Sequence, residues 1–222
     1  MTLSAVLFDM DGLLVDTEPI WQRAEDRAVA ELGGTEWTPE DQRAVLGASL
    51  PLAGEYMRRR TGTSRSGDEV AQLIIGGFLD DVRAGSPIVV QPGAVELVNE
   101  VAGAGIPFAL VSASVRAIVD LVTAHLASVG AAPFPVTVAG DEVDRGKPDP
   151  TPYKRAAELL GAPIGRAVVL EDSINGVQAG WSAGATVVAI DGMVRHEPRP
   201  RVVVRESLVG LTVAELTALA AG

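Results

Sequence analysis

The sequence contains no cysteine among its 222 residues. Disulfide bonds, thiolate catalysis and cysteine-ligated zinc are therefore excluded. Histidine is scarce as well, since His125 and His196 are the only two and lie far apart in the chain. A histidine-rich metal site is excluded, and a Ser-His-Asp triad would have to use one of these two. We expect neither histidine to be catalytic, because His125 falls in a predicted helix and His196 in a predicted loop.

Long apolar runs are also absent. No stretch approaches the roughly 18 apolar residues of a membrane-spanning helix, and the N-terminal segment lacks the basic start and apolar core of a signal peptide. Basic residues are outnumbered, with 18 Lys and Arg against 29 Asp and Glu and a formal net charge of −11. A surface with this much negative charge repels nucleic acid and anionic membranes. We therefore expect a cytoplasmic protein that binds neither, and a monomer, with a weak dimer as the alternative.

The sequence does contain an alternation of short apolar runs and helical segments. The predicted strands are Ala5–Phe8, Ile106–Val111, Val136–Ala139, Ala167–Leu170, Thr186–Ile190 and Val202–Val204. The predicted helices of this part of the chain are Ala94–Ala104, Ala117–Val129, Pro152–Leu160 and Asn175–Ala183. Alternation of this kind predicts βαβ units and a parallel sheet. Because the strands are apolar on both sides, we predict an α/β fold with a Rossmann-like sheet and helices on both faces.

One region interrupts the alternation. Between Thr17 and about Ala84 the sequence predicts helices only, over Glu18–Leu32, Pro39–Leu46, Leu52–Arg60 and Asp68–Arg83. The segment Thr38–Asp41 is typical of a helix start, with threonine before proline and two acids. We predict a core domain of residues 1–15 and 86–222, with an all-α cap domain of residues 16–85 inserted after the first strand.

Acidic pairs follow two of the predicted strands. Ligands of open parallel α/β sheets bind beyond the carboxyl ends of the strands. Asp9 and Asp11 follow the first strand, and Glu171 and Asp172 follow the strand that starts at Ala167. Taken singly, these acids could be turn residues or helix caps. Together, Asp9 and Asp172 would form an all-oxygen site suited to Mg²⁺.

Hydroxyl groups and a lysine follow two further strands. Ser112 and Ser114 could bind an anion at a helix start or could simply cap that helix. Lys147 stands between Gly146 and Pro148, where its ammonium could point inward as a fixed charge or remain solvated. The combined set of acid pairs, hydroxyls and lysine is what phosphoryl transfer through a covalent aspartyl phosphate requires.

These segments, in this order, resemble those of the haloacid dehalogenase superfamily of aspartate-nucleophile phosphatases. The subfamily they are most similar to includes β-phosphoglucomutase and bacterial sugar phosphatases. The matching segments are Asp9–Pro19, Ser112–Ser114, Gly146–Pro148 and Glu171–Gly176, and the helical insertion is similar to the small cap of that subfamily.

The resemblance implies a role for each matching residue. Asp9 attacks phosphorus, while Asp11 protonates the leaving alkoxide and later helps to activate water. The implied Mg²⁺ ligands are the carboxylates of Asp9 and Asp172 and the backbone carbonyl of Asp11, with Glu171 supporting the metal shell. The implied phosphate-binding groups are Ser112, the N–H of Ala113 and Lys147. The dehalogenases of the superfamily lack the second aspartate, so the presence of Asp11 disfavours dehalogenation.

The inserted domain bears on the substrate. The segment Asp16–Trp21 resembles the opening of bacterial hexose and 2-deoxyhexose 6-phosphate phosphatases, which implies a substrate-binding role for Glu18. Trp21 either joins that pocket or is buried between helices. β-Phosphoglucomutases carry an arginine just after a Gly-x-Ser segment, whereas Gly47-Ala-Ser49 is followed here by Leu50.

The absence of that arginine favours hydrolysis. We therefore predict a magnesium-dependent phosphatase, a phosphoric monoester hydrolase, that acts on a small phosphorylated metabolite, in particular a sugar phosphate. Two alternatives stay open. One is an isomerase of the β-phosphoglucomutase type, and the other is a non-catalytic, metal-binding regulatory protein.

Overall fold

A computed structural model describes residues 2–45 and 48–221. The chain divides into two compact units, Met1–Asp16 with Val90–Gly222 and Thr17–Val89. The first segment of the first unit therefore ends at residue 16, one residue after the predicted end at 15. Its second segment begins at residue 90, four residues after the predicted start at 86. Within the described residues, no helix is both long and apolar enough to span a membrane.

The strands and helices follow one another as the alternation predicts. In chain order the strands are β1 Ala5–Phe8, β2 Val15–Asp16, β3 Val89–Val90, β4 Phe108–Val111, β5 Val136–Val138, β6 Ala167–Glu171, β7 Thr186–Ile190 and β8 Val202–Arg205. The helices are α1 Glu18–Glu31, α2 Pro39–Val45, α3 Leu50–Thr61, α4 Gly67–Arg83, α5 Ala94–Gly103, α6 Arg116–Ser128, α7 Thr151–Leu159, α8 Ile174–Ala183 and α9 Val213–Ala221.

Six strands of the first unit form one parallel sheet in the order β5–β4–β1–β6–β7–β8. Alternate strand residues point to opposite faces. Leu7 and its neighbours on one face pack against α7 and α8, and the opposite face is closed as well, since Phe8 and Leu110 are fully buried. The predicted α/β class is confirmed. With β1 between β4 and β6, the residues after β1 lie at the middle of the sheet.

Two differences from the prediction have clear physical reasons. The strand predicted from Ile106 begins at Phe108, because the N–H of Ile106 donates to Val101 at the end of α5 and Pro107 has no N–H to give. The sequence does not predict helix α9, because its run of alanine and other apolar residues has no clear helical period. Leu46, the predicted last residue of the second inserted helix, lies outside the described residues.

The second unit is helical. Helix α4 packs against both α1 and α3. Helix α2 begins where the sequence predicts, because the Asp41 N–H donates to the Thr38 hydroxyl at 3.2 Å and the Thr38 N–H donates to the Asp41 carboxylate at 2.9 Å. Trp21 packs against Phe78 with ring centroids 4.4 Å apart, a contact that fits the burial alternative.

Candidate active site

Asp9 and Asp11 leave the central strand at its carboxyl end. The Asp9 N–H donates to the Leu170 carbonyl at 3.0 Å, so the ladder between β1 and β6 extends one residue beyond the strand. The chain then turns at Gly12, whose φ of +84° is a left-handed conformation that side-chain-bearing residues rarely adopt. The backbone hydrogen bond and the turn together hold the two aspartates at the carboxyl end of the central strand.

Gly12 is also required by its neighbour. An ideal Cβ at this position would lie 2.0 Å from Oδ2 of Asp172. A carboxylate oxygen cannot approach a methyl group so closely. The absence of a side chain at Gly12 therefore makes room for the Asp172 carboxylate.

Lys147 joins the ends of three strands. Its Nζ donates to Oδ1 of Asp9, to Oε1 of Glu171 at 2.6 Å and to the Val111 carbonyl at 3.0 Å. The side chain is only 3% exposed, so Lys147 is buried rather than solvated. An ammonium has three donors, and all three are used here.

Glu171 is surrounded by donors. Its Oε1 accepts from Lys147 and, at 2.8 Å, from the hydroxyl of Tyr153. Its Oε2 accepts from the N–H of Asp172 at 3.1 Å and from both the N–H and the hydroxyl of Ser173 at 3.0 Å. The carboxylate is fully buried and links Lys147 to the backbone after β6.

Asp11 is held by two hydroxyl groups. Its Oδ2 accepts from Ser112 at 3.2 Å and from Ser114 at 2.8 Å. The N–H of Ser114 donates in turn to the Ser112 hydroxyl at 2.9 Å. Ser112 thus contacts Asp11 directly, and its expected role in phosphate binding, like that of the Ala113 N–H, stays a prediction.

Burial and like charge dominate the electrostatics of the site. Burial, together with repulsion from Glu171, raises the pKa of Asp9 to about 8, although Lys147 opposes the rise. Burial, followed by repulsion from Asp9 and Glu171, raises the pKa of Asp172 well above its usual range. Burial alone would lower the pKa of Lys147, but attraction to Asp9 and Glu171 outweighs it and raises that pKa. Lys147 therefore stays charged, but this single ammonium does not prevent the rise in the pKa values of Asp9 and Asp172.

The carboxylates fit a divalent cation. Asp9, Glu171 and Asp172 each offer one oxygen, and these three oxygens lie within 4.8 Å of one another. Oδ1 of Asp172 is buried and, within the described part of the chain, accepts no hydrogen bond. A buried carboxylate oxygen without a donor is costly, and a cation would satisfy it. An all-oxygen set of this kind suits Mg²⁺.

Three residues of the site were not predicted in these roles. Tyr153 occupies a helix pattern that indicates only burial, the pattern around Ser114 indicates only an anion-binding group or a helix cap, and His196 falls in a predicted loop. Nε2 of His196 lies 2.8 Å from the backbone oxygen of Asp172. The sequence features that indicate this site are the strand ends and the loops that contain proline. These features do not identify which side chains point into the site.

Glu18 belongs to the other unit. It is the first residue of α1, and its carboxylate accepts a hydrogen bond from Nε2 of Gln42 at 3.3 Å. The substrate-binding role expected for Glu18 stays a prediction.

Comparison with known proteins identifies the family. A model of the haloacid dehalogenase-like hydrolases matches residues 3–184. The chain belongs to this family. The predicted resemblance to the superfamily is confirmed, and with it the predicted enzyme class of phosphoric monoester hydrolase.

Several relatives of this haloacid dehalogenase-like hydrolase carry specific names. The phosphorylated carbohydrates phosphatase of Thermotoga maritima is 33% identical over 82% of both chains. Hexitol phosphatase A of Escherichia coli is 30% identical over 86% of this chain and 84% of its own. A variant of CbbY from Rhodobacter sphaeroides, solved with xylulose-(1,5)bisphosphate, has a TM-score of 0.80 at 29% identity and covers 97% of this chain and 99% of its own.

Proposed function

We propose that this hydrolase releases phosphate from a phosphorylated sugar or sugar alcohol, with Mg²⁺ as cofactor and an aspartyl phosphate on Asp9 as intermediate. The observation that carries the proposal is the buried bridge from Lys147 to Asp9 and Glu171, with Asp11 held alongside by two serine hydroxyls. The names of the relatives, which refer to carbohydrate and hexitol phosphates, support the substrate class.

Asp9 is the proposed nucleophile. One of its carboxylate oxygens forms a bond to phosphorus while the bond from phosphorus to the ester oxygen breaks. Lys147 holds the Asp9 carboxylate in place and offsets its repulsion from the phosphate dianion. The attacking carboxylate must be ionised, and the raised pKa of Asp9 means that extra positive charge is needed at neutral pH.

The cofactor supplies that charge. The carboxylates of Asp9 and Asp172 and the backbone carbonyl of Asp11 would hold Mg²⁺, which would supply positive charge that favours the ionised acids and offsets the charge of the phosphate. Glu171 takes part mainly by holding Lys147 and the N–H of Asp172, because both of its oxygens already accept hydrogen bonds.

Asp11 is the proposed acid and base. In the first step it gives its proton to the leaving alkoxide. In the second step its carboxylate accepts a proton from water while the water oxygen attacks phosphorus, which releases inorganic phosphate and restores the Asp9 carboxylate. The hydroxyls of Ser112 and Ser114 orient Asp11 for both transfers.

Hydrolysis is favoured over the isomerase alternative by the start of α3. Leu50 opens this helix and is buried, at the position where a mutase carries its arginine. Gly47, the first residue of the Gly-x-Ser segment, lies outside the described residues. In the helical unit we assign Glu18 to the substrate, with Gln42 orienting its carboxylate.

A phosphatase screen tests the proposal. The purified protein with Mg²⁺ is assayed for phosphate release from sugar monophosphates, hexitol phosphates, phosphoglycolate and nucleotides. We expect sugar or hexitol phosphates to be the best substrates, chelation to stop turnover, and Asp9→Asn to abolish it without loss of fold. Absence of turnover across the panel would favour the regulatory alternative, and activity only with a bisphosphorylated sugar as activator would favour the isomerase.

A further inference from the structure

His196 lies in the segment between β7 and β8 and reaches back to the end of β6. Its Nε2 is 2.8 Å from the backbone oxygen of Asp172. A carbonyl oxygen can only accept a hydrogen bond, so Nε2 of His196 carries the hydrogen in this contact. The tautomer of the ring is therefore fixed by its partner.

The loop holds His196 in this position. The N–H of His196 donates to Oδ1 of Asp191 at 2.9 Å, directly after β7. Arg195 donates to the other oxygen of the same carboxylate at 2.8 Å. Asp191 itself is tied to the sheet, because its N–H donates to the Arg205 carbonyl at 2.8 Å. The ring is thus anchored through the loop to two strands of the sheet.

Asp172 is consequently held on both sides of its Cα. Its N–H donates to Oε2 of Glu171 at 3.1 Å, and its carbonyl accepts from His196 at 2.8 Å. Gly12 leaves its carboxylate room on the side facing β1. Together the two backbone bonds fix the backbone from which the Asp172 side chain extends, and Oδ1 of this side chain is buried with no donor among the residues that the structure describes.

We propose that His196 is a positioning residue for Asp172, which preorganises this carboxylate as a ligand and thereby raises the affinity of the site for a divalent cation. The inference rests on the function proposed above, because it assigns Asp172 to the cofactor. It adds a residue that touches neither cation nor substrate and acts through the backbone carbonyl of Asp172. Groups that orient metal ligands commonly change metal affinity by about 10–100-fold when they are removed.

Two variants of similar size separate the hydrogen bond from the packing of the ring. His196→Gln keeps an N–H donor at a comparable distance from the backbone, whereas His196→Met keeps the bulk and loses the donor. His125→Met is the matched control, because His125 is a half-buried histidine of α6. Thermal unfolding in the presence of a chelator verifies that each variant folds.

Calorimetric titration of the purified proteins with Mg²⁺, without substrate, gives the test. We expect His196→Met to raise the Kd for Mg²⁺ about tenfold, and His196→Gln and His125→Met to stay close to wild type. The Mg²⁺ concentration for half-maximal turnover should shift in the same order.

Two results would overturn the inference while leaving the proposed function in place. One is a wild-type Kd for His196→Met, and the other is equal weakening in His196→Met and His196→Gln. A wild-type protein that binds no Mg²⁺ at millimolar concentration would instead contradict the proposed function itself, so the two failures are distinguishable.

Discussion

Two buried carboxylates, those of Asp9 and Glu171, and the half-buried carboxylate of Asp172 lie close together at the carboxyl end of the sheet, near the ammonium of Lys147. Asp9 and Glu171 contact it directly, and Asp172 lies beside them. The pKa of Asp9 rises despite its bond to Lys147, first because the carboxylate is buried and then because the negative charge of Glu171 repels it. A divalent cation would balance this charge.

The hydroxyl of Tyr153 is a group whose role at the site can be tested by substitution. Tyr153 is fully buried, its ring lies 5.0 Å from Nζ of Lys147, and its hydroxyl donates to Glu171 at 2.8 Å. Burial raises the pKa of the phenol well above its usual value, so it remains a donor. We expect Tyr153→Phe to lower kcat about tenfold, because Glu171 then holds Lys147 less firmly.

The second tyrosine provides the control for this change. Tyr56 also donates to a carboxylate, Oδ1 of Asp41, at 2.9 Å, but within the helical unit. Both Tyr→Phe variants should lower the free energy of unfolding, by about 1–3 kcal/mol for loss of a bond to a charged group. In steady-state kinetics only Tyr153→Phe should lower kcat, and an unchanged kcat in that variant would contradict a role for its hydroxyl at the site.

Glu25 should make stability depend on pH. It is buried in α1, accepts from Nε1 of Trp37 at 3.0 Å, and burial raises its pKa from 4.5 to about 8. Between these two values the folded protein keeps a proton that the unfolded chain has lost. The free energy of unfolding should therefore fall as pH rises through this window, by up to about 1.4 kcal/mol per pH unit.

Glu25→Gln removes this titration, since its amide is neutral at every pH and its oxygen can still accept from Trp37. Urea denaturation across pH 5 to 8, in steps of about one unit, should show a shallower decline for Glu25→Gln than for wild type and a more stable variant at the upper end. The exposed Glu36→Gln serves as control and should follow wild type. Parallel profiles for Glu25→Gln and wild type would show that Glu25 is ionised in the folded protein.

At the scale of secondary structure, the sequence predicts most of the elements and misses the two-residue strands and helix α9. Strands β1 and β7 have their predicted bounds, because continuous apolar runs identify strands buried on both faces. Strands β2 and β3 have two residues each, which is too short for any period to show. Helix ends shift by one or two residues because capping contacts set them.

Elements also determine how much of the site is predictable. Asp9, Lys147 and Asp172 could be found because each follows a strand whose carboxyl end meets the same edge of the sheet. Tyr153 and His196 could not, since Tyr153 lies within helix α7 and His196 lies six residues beyond the end of β7. Their contacts with Glu171 and Asp172 depend on tertiary packing that no local pattern encodes.

The turn after β1 supplies an element-scale prediction. Gly12→Ala would strain a left-handed backbone and push a methyl group into the Asp172 carboxylate. We expect it to weaken Mg²⁺ binding by at least about tenfold, because a ligand is displaced, and to lower turnover. Gly130→Ala is the control, since Gly130 has a similar φ of +98° in the same unit but open space around its Cβ position.

Comparison of these two glycine variants distinguishes the effect of backbone strain from the effect of displacing the Asp172 carboxylate. Both should lose stability in denaturation experiments, because each forces alanine to adopt a positive φ. Only Gly12→Ala should lose Mg²⁺ affinity by calorimetry. Equal Mg²⁺ affinity in the two variants would mean that Asp172 does not need the room that Gly12 leaves.

At the scale of the whole molecule, the net charge of −11 opposes an anionic substrate. The site overcomes this field locally, with a buried ammonium and a place for a cation between the acids. The sequence could predict the reaction class, because the strand-end residues encode it. It could not identify the sugar. The residues of the helical unit follow a helical period, and this period indicates which side chains are buried but not which ones bind a substrate.

We propose that Asp9 carries the phosphoryl group during turnover. An acyl phosphate is reduced by borohydride to an alcohol, whereas a free carboxylate is not, so a phosphorylated aspartate becomes homoserine. Acid quenching during turnover with Mg²⁺ and the best sugar phosphate, followed by borohydride and peptide mass spectrometry, should show homoserine at residue 9, and none when substrate is omitted. Steady turnover with aspartate unchanged at residue 9, or with homoserine at another position, would contradict the assignment of Asp9 as the nucleophile.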